Sequence, residues 1–207
     1  MGDVRGRLIA VEGIDGCGKT TQARRLADRL GALYTFEPGS TELGAELRRM
    51  VLGHHPMPID DRTEALIMAA DRAQHVAEVV APALAEGRWV VTDRFGASTL
   101  AYQGDGRGLD LDELQSLVRW ATGGVVPDLN VLVDVPVEVA DARRSRAESD
   151  RIEVSTRAVR GRVADGYRKL AADDPAGWAV VDGSRSVEQV AADVWSAVHD
   201  RLGAPHG

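Results

Sequence analysis

Five short apolar runs punctuate the chain. Arg7-Leu8-Ile9-Ala10-Val11-Glu12 ends at glycines, and Leu33 to Phe36 precedes the turn Glu37-Pro38-Gly39. Trp89-Val90-Val91-Thr92-Asp93, Leu129-Asn130-Val131-Leu132-Val133-Asp134-Val135 and Trp178 to Val181 complete the set. Unbroken apolar runs of this length predict strands buried on both faces. Between them the spacing is helical. Ala23, Leu26, Ala27 and Leu30 share a face closed by Gly31, and Thr41 to about Leu52 follows the same pattern. Asp60 to Glu86 predicts one long helix with Pro82 as an internal kink. Leu111, Leu114, Leu117 and Val118 mark a helix over Asp110–Trp120, and Val187, Val190, Ala191, Val194 and Val198 mark a closing one. Strands alternating with helices predict βαβ units: an α/β fold of three layers, α/β/α, around a parallel sheet. Ligands of such sheets bind beyond the carboxyl ends of the strands. The loop after Glu12, the Asp93-Arg94 corner and the Asp134-Val135-Pro136 exit are therefore expected at one rim.

Composition narrows the class. The 207 residues carry no linker or internal repeat and predict a single domain over 1–207. The formal charge, 25 − 32 = −7, argues against broad nucleic-acid binding. No apolar run approaches the roughly 20 residues of a membrane span. Only twelve residues precede the first glycine-rich loop, too few for a signal-peptide core, and Gly6 stands where a myristoylation signal needs Ser or Thr. One cysteine, Cys17, precludes an intramolecular disulfide and a cysteine-built zinc site. A cytoplasmic globular protein is expected. Of the 25 basic residues only Lys19 and Lys169 are lysines. A chain that uses arginine almost everywhere keeps lysine where arginine cannot serve.

Lys19 lies in Gly13-Ile14-Asp15-Gly16-Cys17-Gly18-Lys19-Thr20, which fits G-x-x-x-x-G-K-[ST] between a predicted strand and a predicted helix. Glycines let the backbone curl so that its N–H groups converge on phosphate oxygens, and the helix adds its positive end. Lys19 then reaches the β- and γ-phosphates, and the Thr20 hydroxyl is placed to ligate Mg²⁺. Cys17 reads as a small filler in this loop. Asp93, at a strand's carboxyl end, is a second anchor for Mg²⁺, and Arg94 beside it is placed to contact the transferring or accepting phosphate. No guanine-reading N/T-K-x-D segment exists, so a small-molecule kinase fits better than a GTPase. Arg143-Arg144-Ser145-Arg146-Ala147-Glu148-Ser149-Asp150-Arg151 supports two readings equally. It is either a lid whose guanidinium groups cancel phosphate repulsion or a solvated helix with i,i+4 pairs Arg144–Glu148 and Arg146–Asp150.

Four segments resemble the thymidylate kinase family over nearly the whole chain: Glu12 to Thr21, Glu37-Pro38-Gly39-Ser40-Thr41, Asp93-Arg94-Phe95 with Ser98-Thr99-Leu100-Ala101-Tyr102-Gln103-Gly104, and Asp150-Arg151-Ile152-Glu153. The resemblance implies a P-loop NTPase fold of the nucleoside monophosphate kinase type, phosphorylation of dTMP to dTDP by ATP, and a homodimer. Gly13, Asp15, Gly16, Cys17, Gly18, Lys19, Thr20 and Thr21 are then the ATP-phosphate loop, with Arg143 and Asp182-Gly183-Ser184 near the adenosine. Asp15 approaches the acceptor's 3′-hydroxyl, Arg48 its phosphate and Arg72 a thymine carbonyl. Ser98, Thr99 and Gln103 surround the base, and Tyr102 crowds the sugar 2′ position. Arg143, Arg146 and Arg151 belong to a lid at about 143–153, of the bacterial-type class. Three positions depart from the pattern: Met68 replaces the phenylalanine that stacks on thymine, Phe36 an arginine, and Phe95 a tyrosine or histidine. Phe36 is a candidate to take over the stacking. The departures leave open a kinase for another deoxynucleoside monophosphate. A P-loop protein that holds nucleotide without any acceptor is the alternative of a different class.

Overall fold

The computed structural model describes residues 5–53, 58–143 and 157–203. Five parallel strands form one sheet in the order β2-β3-β1-β4-β5: β1 (Leu8–Glu12), β2 (Leu33–Phe36), β3 (Val90–Asp93), β4 (Leu129–Asp134) and β5 (Trp178–Asp182). Central β1 is fully buried, and its side chains alternate between two cores. Ile9 and Val11 pack with Leu26 and Val194, whereas Leu8 and Ala10 pack with Val76, Val80 and Leu84. That alternation is the strand period of two expressed as a three-layer sandwich. Val11 pairs with Asp93 and Phe36 with Asp93, so the strands end together and the expected rim forms.

Several helices begin where short polar side chains cap them. Helix α1 (Lys19–Leu30) ends at Gly31 in the left-handed conformation, and α2 (Glu42–Leu52) starts at Thr41, whose hydroxyl accepts from Gly44 N–H. The long helix predicted over 60–86 is three consecutive pieces: α3 (Asp61–His75), a π-helical turn (Val76–Val80) and α4 (Ala81–Ala85). Pro82 cannot donate and its ring crowds the preceding turn; just before it the Ala81 N–H reaches Val76 O, five residues back. The kink is thus a widened turn upstream of the proline.

The helical segments over 96–106, 137–143 and 157–173 carry no sequence prediction. Helix α5 (Gly96–Thr99) runs into a π-helical stretch, Leu100–Gly106, and α6 (Leu111–Ala121) follows with Asp110 as its cap. Gly104 and Gly106 here permit close packing rather than a turn. Helix α7 (Val137–Arg143) and α8 (Arg157–Asp173) flank residues 144–156, and α9 (Val187–Leu202) closes the chain with a Ser186–Gln189 capping box. Helix α8 lies directly against the π-helical stretch. A Cβ on Gly106 would come within 2.9 Å of Val163 Cγ2, and one on Gly166 within 2.6 Å of Asp105 Oδ2. Gly106→Val is therefore expected to lever α8 away, costing ~1–3 kcal/mol of stability in a denaturant titration; an unchanged midpoint would show that this contact is slack.

Candidate active site

The phosphate loop is built as its sequence predicts. Gly13, Gly16 and Gly18 all have positive φ, and a Cβ on Gly13 would meet Cys17 Sγ and the Val133 carbonyl at 2.8 Å. Cys17 is buried, and burial pushes its thiol up, which suits a filler and not a nucleophile. Helix α1 begins at Gly18 without a side-chain cap and without an acid in its first turn, leaving its first N–H groups for an anion. Beside it runs a groove lined by Gly16 to Gln22, Arg143, Gly183, Arg185 and Ser186. Arg143 spans that groove, donating to the Gly183 carbonyl at 2.8 Å and to those of Cys17 and Ser184 at longer range. Asp182 does not line it. Its carboxylate accepts from the Ser184 backbone at 2.9 Å and from the Ser184 hydroxyl, and so shapes the turn that does. The Thr20 hydroxyl donates to Asp93 Oδ2, while Asp93 Oδ1 is buried with no partner among the described residues.

Arg94 is the hub of the rim. It alone among the described non-glycine residues has positive φ, at 74°, a conformation that costs free energy and turns the side chain back over the sheet end. Its Nη2 pairs with Asp15 Oδ1 and donates to Tyr102 Oη at 2.8 Å. Its Nη1 donates to Ser98 Oγ and Tyr167 Oη, both at 3.1 Å. Tyr102 donates to Asp15 Oδ2 at 2.7 Å, and Lys19 Nζ lies 3.3 Å from Oδ1. Burial alone would push the Asp15 carboxyl up, but Arg94, Lys19 and Tyr102 together hold it well below the usual carboxylate range. Burial pushes the Tyr102 and Tyr167 phenols up, so both remain donors.

On the other side of Arg94 opens a cleft. Asp15, Arg48, Met68, Arg72, Arg94, Ser98, Thr99, Tyr102 and Gln103 all line it, a convergence of nine residues expected to touch one ligand. Phe36 is not among them. On a strand side chains alternate, so Phe36 stacks on Tyr34 on one face while Thr35 points to the other; the expectation that Phe36 lies on the base is corrected. Arg146 and Arg151 lie outside the described residues, as does all of the predicted lid after Arg143.

Several residues that frame this cleft went unpredicted. Buried Glu12 accepts from Phe95 N–H at 2.8 Å, Ser98 Oγ at 2.7 Å and Tyr167 Oη at 3.0 Å. Glu37 accepts from Arg72 Nε at 2.8 Å through one oxygen and meets His75 Nδ1 at 2.8 Å through the other, while His75 Nε2 reaches Thr35 Oγ1 at 2.8 Å. Arg72 also donates to Thr99 Oγ1 at 2.8 Å and to the Phe95 carbonyl at 3.0 Å, so the guanidinium is gripped on three sides. Asp71 Oδ1 accepts from Gly39 N–H at 2.9 Å, and its Oδ2 is buried without a partner among the described residues. The sequence signal for Glu12 and Glu37 is a charge closing an apolar run. Tyr167 falls on an apolar stripe with Val159, Val163, Ala164 and Ala171, so its spacing marks it as core and carries no sign of its hydroxyl's role.

A glycine-curled loop on a five-stranded parallel sheet, facing a second cleft across an arginine, defines a P-loop phosphotransferase of the nucleoside monophosphate kinase type. The family model described as "Thymidylate kinase" matches residues 11–194, and the chain belongs to the thymidylate kinase family. It is 46% identical to a thymidylate kinase of Cupriavidus metallidurans over 192 residues, covering 90% of this chain and 94% of that one. It is 48% identical to one from Synechococcus sp. (strain WH7803) over 199 residues, covering 90% and 92%. The crystal structure of thymidylate kinase from Ehrlichia chaffeensis superposes with a TM-score of 0.74 at 28% identity, over 94% of this chain and 99% of that one.

Asp71 has a consequence for stability. Burial, with the Glu37 charge behind it, pushes its carboxyl up to about 6. A carboxyl whose folded value is raised binds its proton more tightly when folded. It therefore favours the fold at low pH and loses that contribution as pH rises from about 4 through 6. Asp71→Asn, which keeps the acceptor for Gly39 N–H, should raise stability by ~1–2 kcal/mol at pH 8 and by little at pH 4.5, read as melting temperatures.

Proposed function

We propose that the chain transfers the γ-phosphoryl group of ATP to the 5′-phosphate of dTMP, releasing ADP and dTDP. The observation that carries this reading is the pair of adjoining sites, an open helix N-terminus with its phosphate loop and a buried cleft, separated only by Lys19, Asp15 and Arg94. The relatives' name, thymidylate kinase, supplies the acceptor.

In this reading Gly13 to Thr21 cradle the ATP phosphates, Lys19 neutralises the β- and γ-oxygens, and Arg143 with the 183–186 turn flanks the adenosine. Thr20 and Asp93 would hold Mg²⁺. The fit rests on hard oxygen donors and on the unpartnered buried Asp93 Oδ1, as expected for an ion that keeps most of its waters. When bound, the ion supplies charge neutralisation across the β- and γ-phosphates. The acceptor phosphate, with a second pKa of ~6, is already dianionic at neutral pH and needs no general base. Positioning and charge neutralisation then remain as the work of the chain's own residues. Asp15, held ionised, is suited to accept from the sugar 3′-hydroxyl and unsuited to shuttle a proton. Tyr102 crowds the 2′ position, Arg48 meets the acceptor phosphate, Arg72 meets a base carbonyl, Ser98, Thr99 and Gln103 surround the base, and Met68 lies against its face. Arg143, Arg146 and Arg151 act as a lid over residues 143–153 of a single kinase domain.

A homodimer and a cytoplasmic location complete the proposal. Leu43 and Met50 on α2, Leu66 on α3 and Trp120 on α6 are exposed apolar side chains on helices that pack side by side, Trp120 being 82% exposed. No helix among the described residues is long and apolar enough to cross a membrane.

Two experiments test the reading. ADP release with Mg-ATP and a panel of dTMP, dUMP, UMP, dCMP and dGMP should favour dTMP. Preference for another monophosphate would move the substrate, and silence across the panel with ATP bound would overturn kinase activity. Arg94→Ala should lower kcat by ~10²–10³-fold with a smaller change in KM, the effect of removing a donor aimed at developing charge; an unchanged kcat would remove Arg94 from the reaction.

A further inference from the structure

Gln103 lies in the π-helical stretch, is 1% exposed and lines the acceptor cleft. Its Nε2 donates to Glu64 Oε1 at 3.0 Å. Glu64, on α3, is itself buried, and Arg107 donates to both of its oxygens, at 3.4 Å from Nε and 3.2 Å from Nη2. Asp61 Oδ1 also lies 3.5 Å from Arg107 Nε. A carboxylate paired with a guanidinium offers acceptors only, so it takes the NH₂ end of the neighbouring amide. The atom that Gln103 then has to offer the cleft is its carbonyl Oε1. In the same cleft Arg72, gripped by Glu37, Thr99 and the Phe95 carbonyl, offers donors only.

We propose that Glu64 is a positioning residue that sets base specificity: it orients the Gln103 amide so that a ring N–H is accepted and a ring-nitrogen lone pair is refused. The inference rests on the acceptor reading above and deepens it. The edge of thymine runs carbonyl, N–H, carbonyl, which complements an amide oxygen beside an arginine. Cytosine presents a lone pair at N3 and an amino group at C4, which sets acceptor against acceptor and donor against donor. An unrestrained amide rotates about its last bond and serves either pattern. The buried carboxylate removes that freedom, so discrimination comes from a residue that need not touch the base.

The test is equilibrium binding of dTMP and dCMP, with melting temperatures alongside. The wild-type protein should bind dTMP at least ~100-fold more tightly than dCMP, because a buried group left mispaired rejects the wrong ligand strongly. In Glu64→Gln the new amide can face either end of Gln103, and the dTMP/dCMP ratio should fall at least ~10-fold. Gln103→Met should collapse the ratio similarly, and Glu64→Gln should add nothing to it in that background. A Glu64→Gln protein that melts lower but keeps the ratio would assign Glu64 a structural role alone and overturn the proposal. If Glu64→Gln does not fold, Gln103→Met decides: an unchanged ratio overturns the proposal, and a collapsed one supports it. Equal wild-type binding of the two nucleotides overturns the proposal while leaving phosphoryl transfer standing. Wild-type binding of neither overturns the acceptor reading and this inference with it.

Discussion

Glu12 is a fully buried carboxylate at the end of the central strand, and a buried charge in that position must be met by donors. The three it finds come from separate parts of the chain: the Phe95 backbone, the Ser98 hydroxyl and the Tyr167 phenol. Burial pushes the Glu12 carboxyl up against the opposing pull of these partners and Arg94. This one requirement ties the strand that launches the phosphate loop to the corner carrying Arg94 and to helix α8. Ser98 and Tyr167 in turn support the Arg94 guanidinium, so the residue between the two ligand sites is aimed by a group that never meets a ligand.

The same economy recurs on the acceptor side. Glu37 fixes Arg72 through one oxygen and is itself fixed by His75 through the other, with Thr35 behind the imidazole. Arg72 thus has the buried anion Glu37 at its back, as Arg94 has Glu12 behind Ser98 and Tyr167. Such pairs contribute little net stability once desolvation is counted, but breaking one leaves a charge stranded, so the geometry is held firmly. Positioning of this kind is what phosphoryl transfer asks of a protein, because the acceptor and donor bring their own reactivity.

How much of this was legible in the chain depended on the physics of each element. The five strands and the P-loop were legible because burial on both faces writes an apolar run and phosphate binding writes glycines and a lysine. Pro82 announced an irregularity but not its form, since a widened turn upstream relieves the same clash as a bend. The Gly96–Gly106 segment was not legible. Its glycines let neighbouring helices approach, α6 at Gly96 and Gly104 and α8 at Gly106, and close approach has no periodic signature. Phe36 was misassigned because ring chemistry was weighed without strand parity. Glu12, Glu37 and Glu64 act at one remove from the ligand, and a single sequence holds no trace of a contact between side chains 86, 35 and 39 positions apart.

The Arg94 guanidinium has all four of its terminal N–H directions committed to Asp15, Tyr102, Ser98 and Tyr167. An anion arriving alone must compete with Asp15 and would strand a carboxylate in a mostly buried place. In the proposed reading, a nucleotide that brings a 5′-phosphate together with a 3′-hydroxyl on one sugar can open the pair and close both halves again. The resting ion pair then works as a coincidence detector: inorganic phosphate would meet an occupied arginine, whereas a nucleotide would exchange one satisfied arrangement for another.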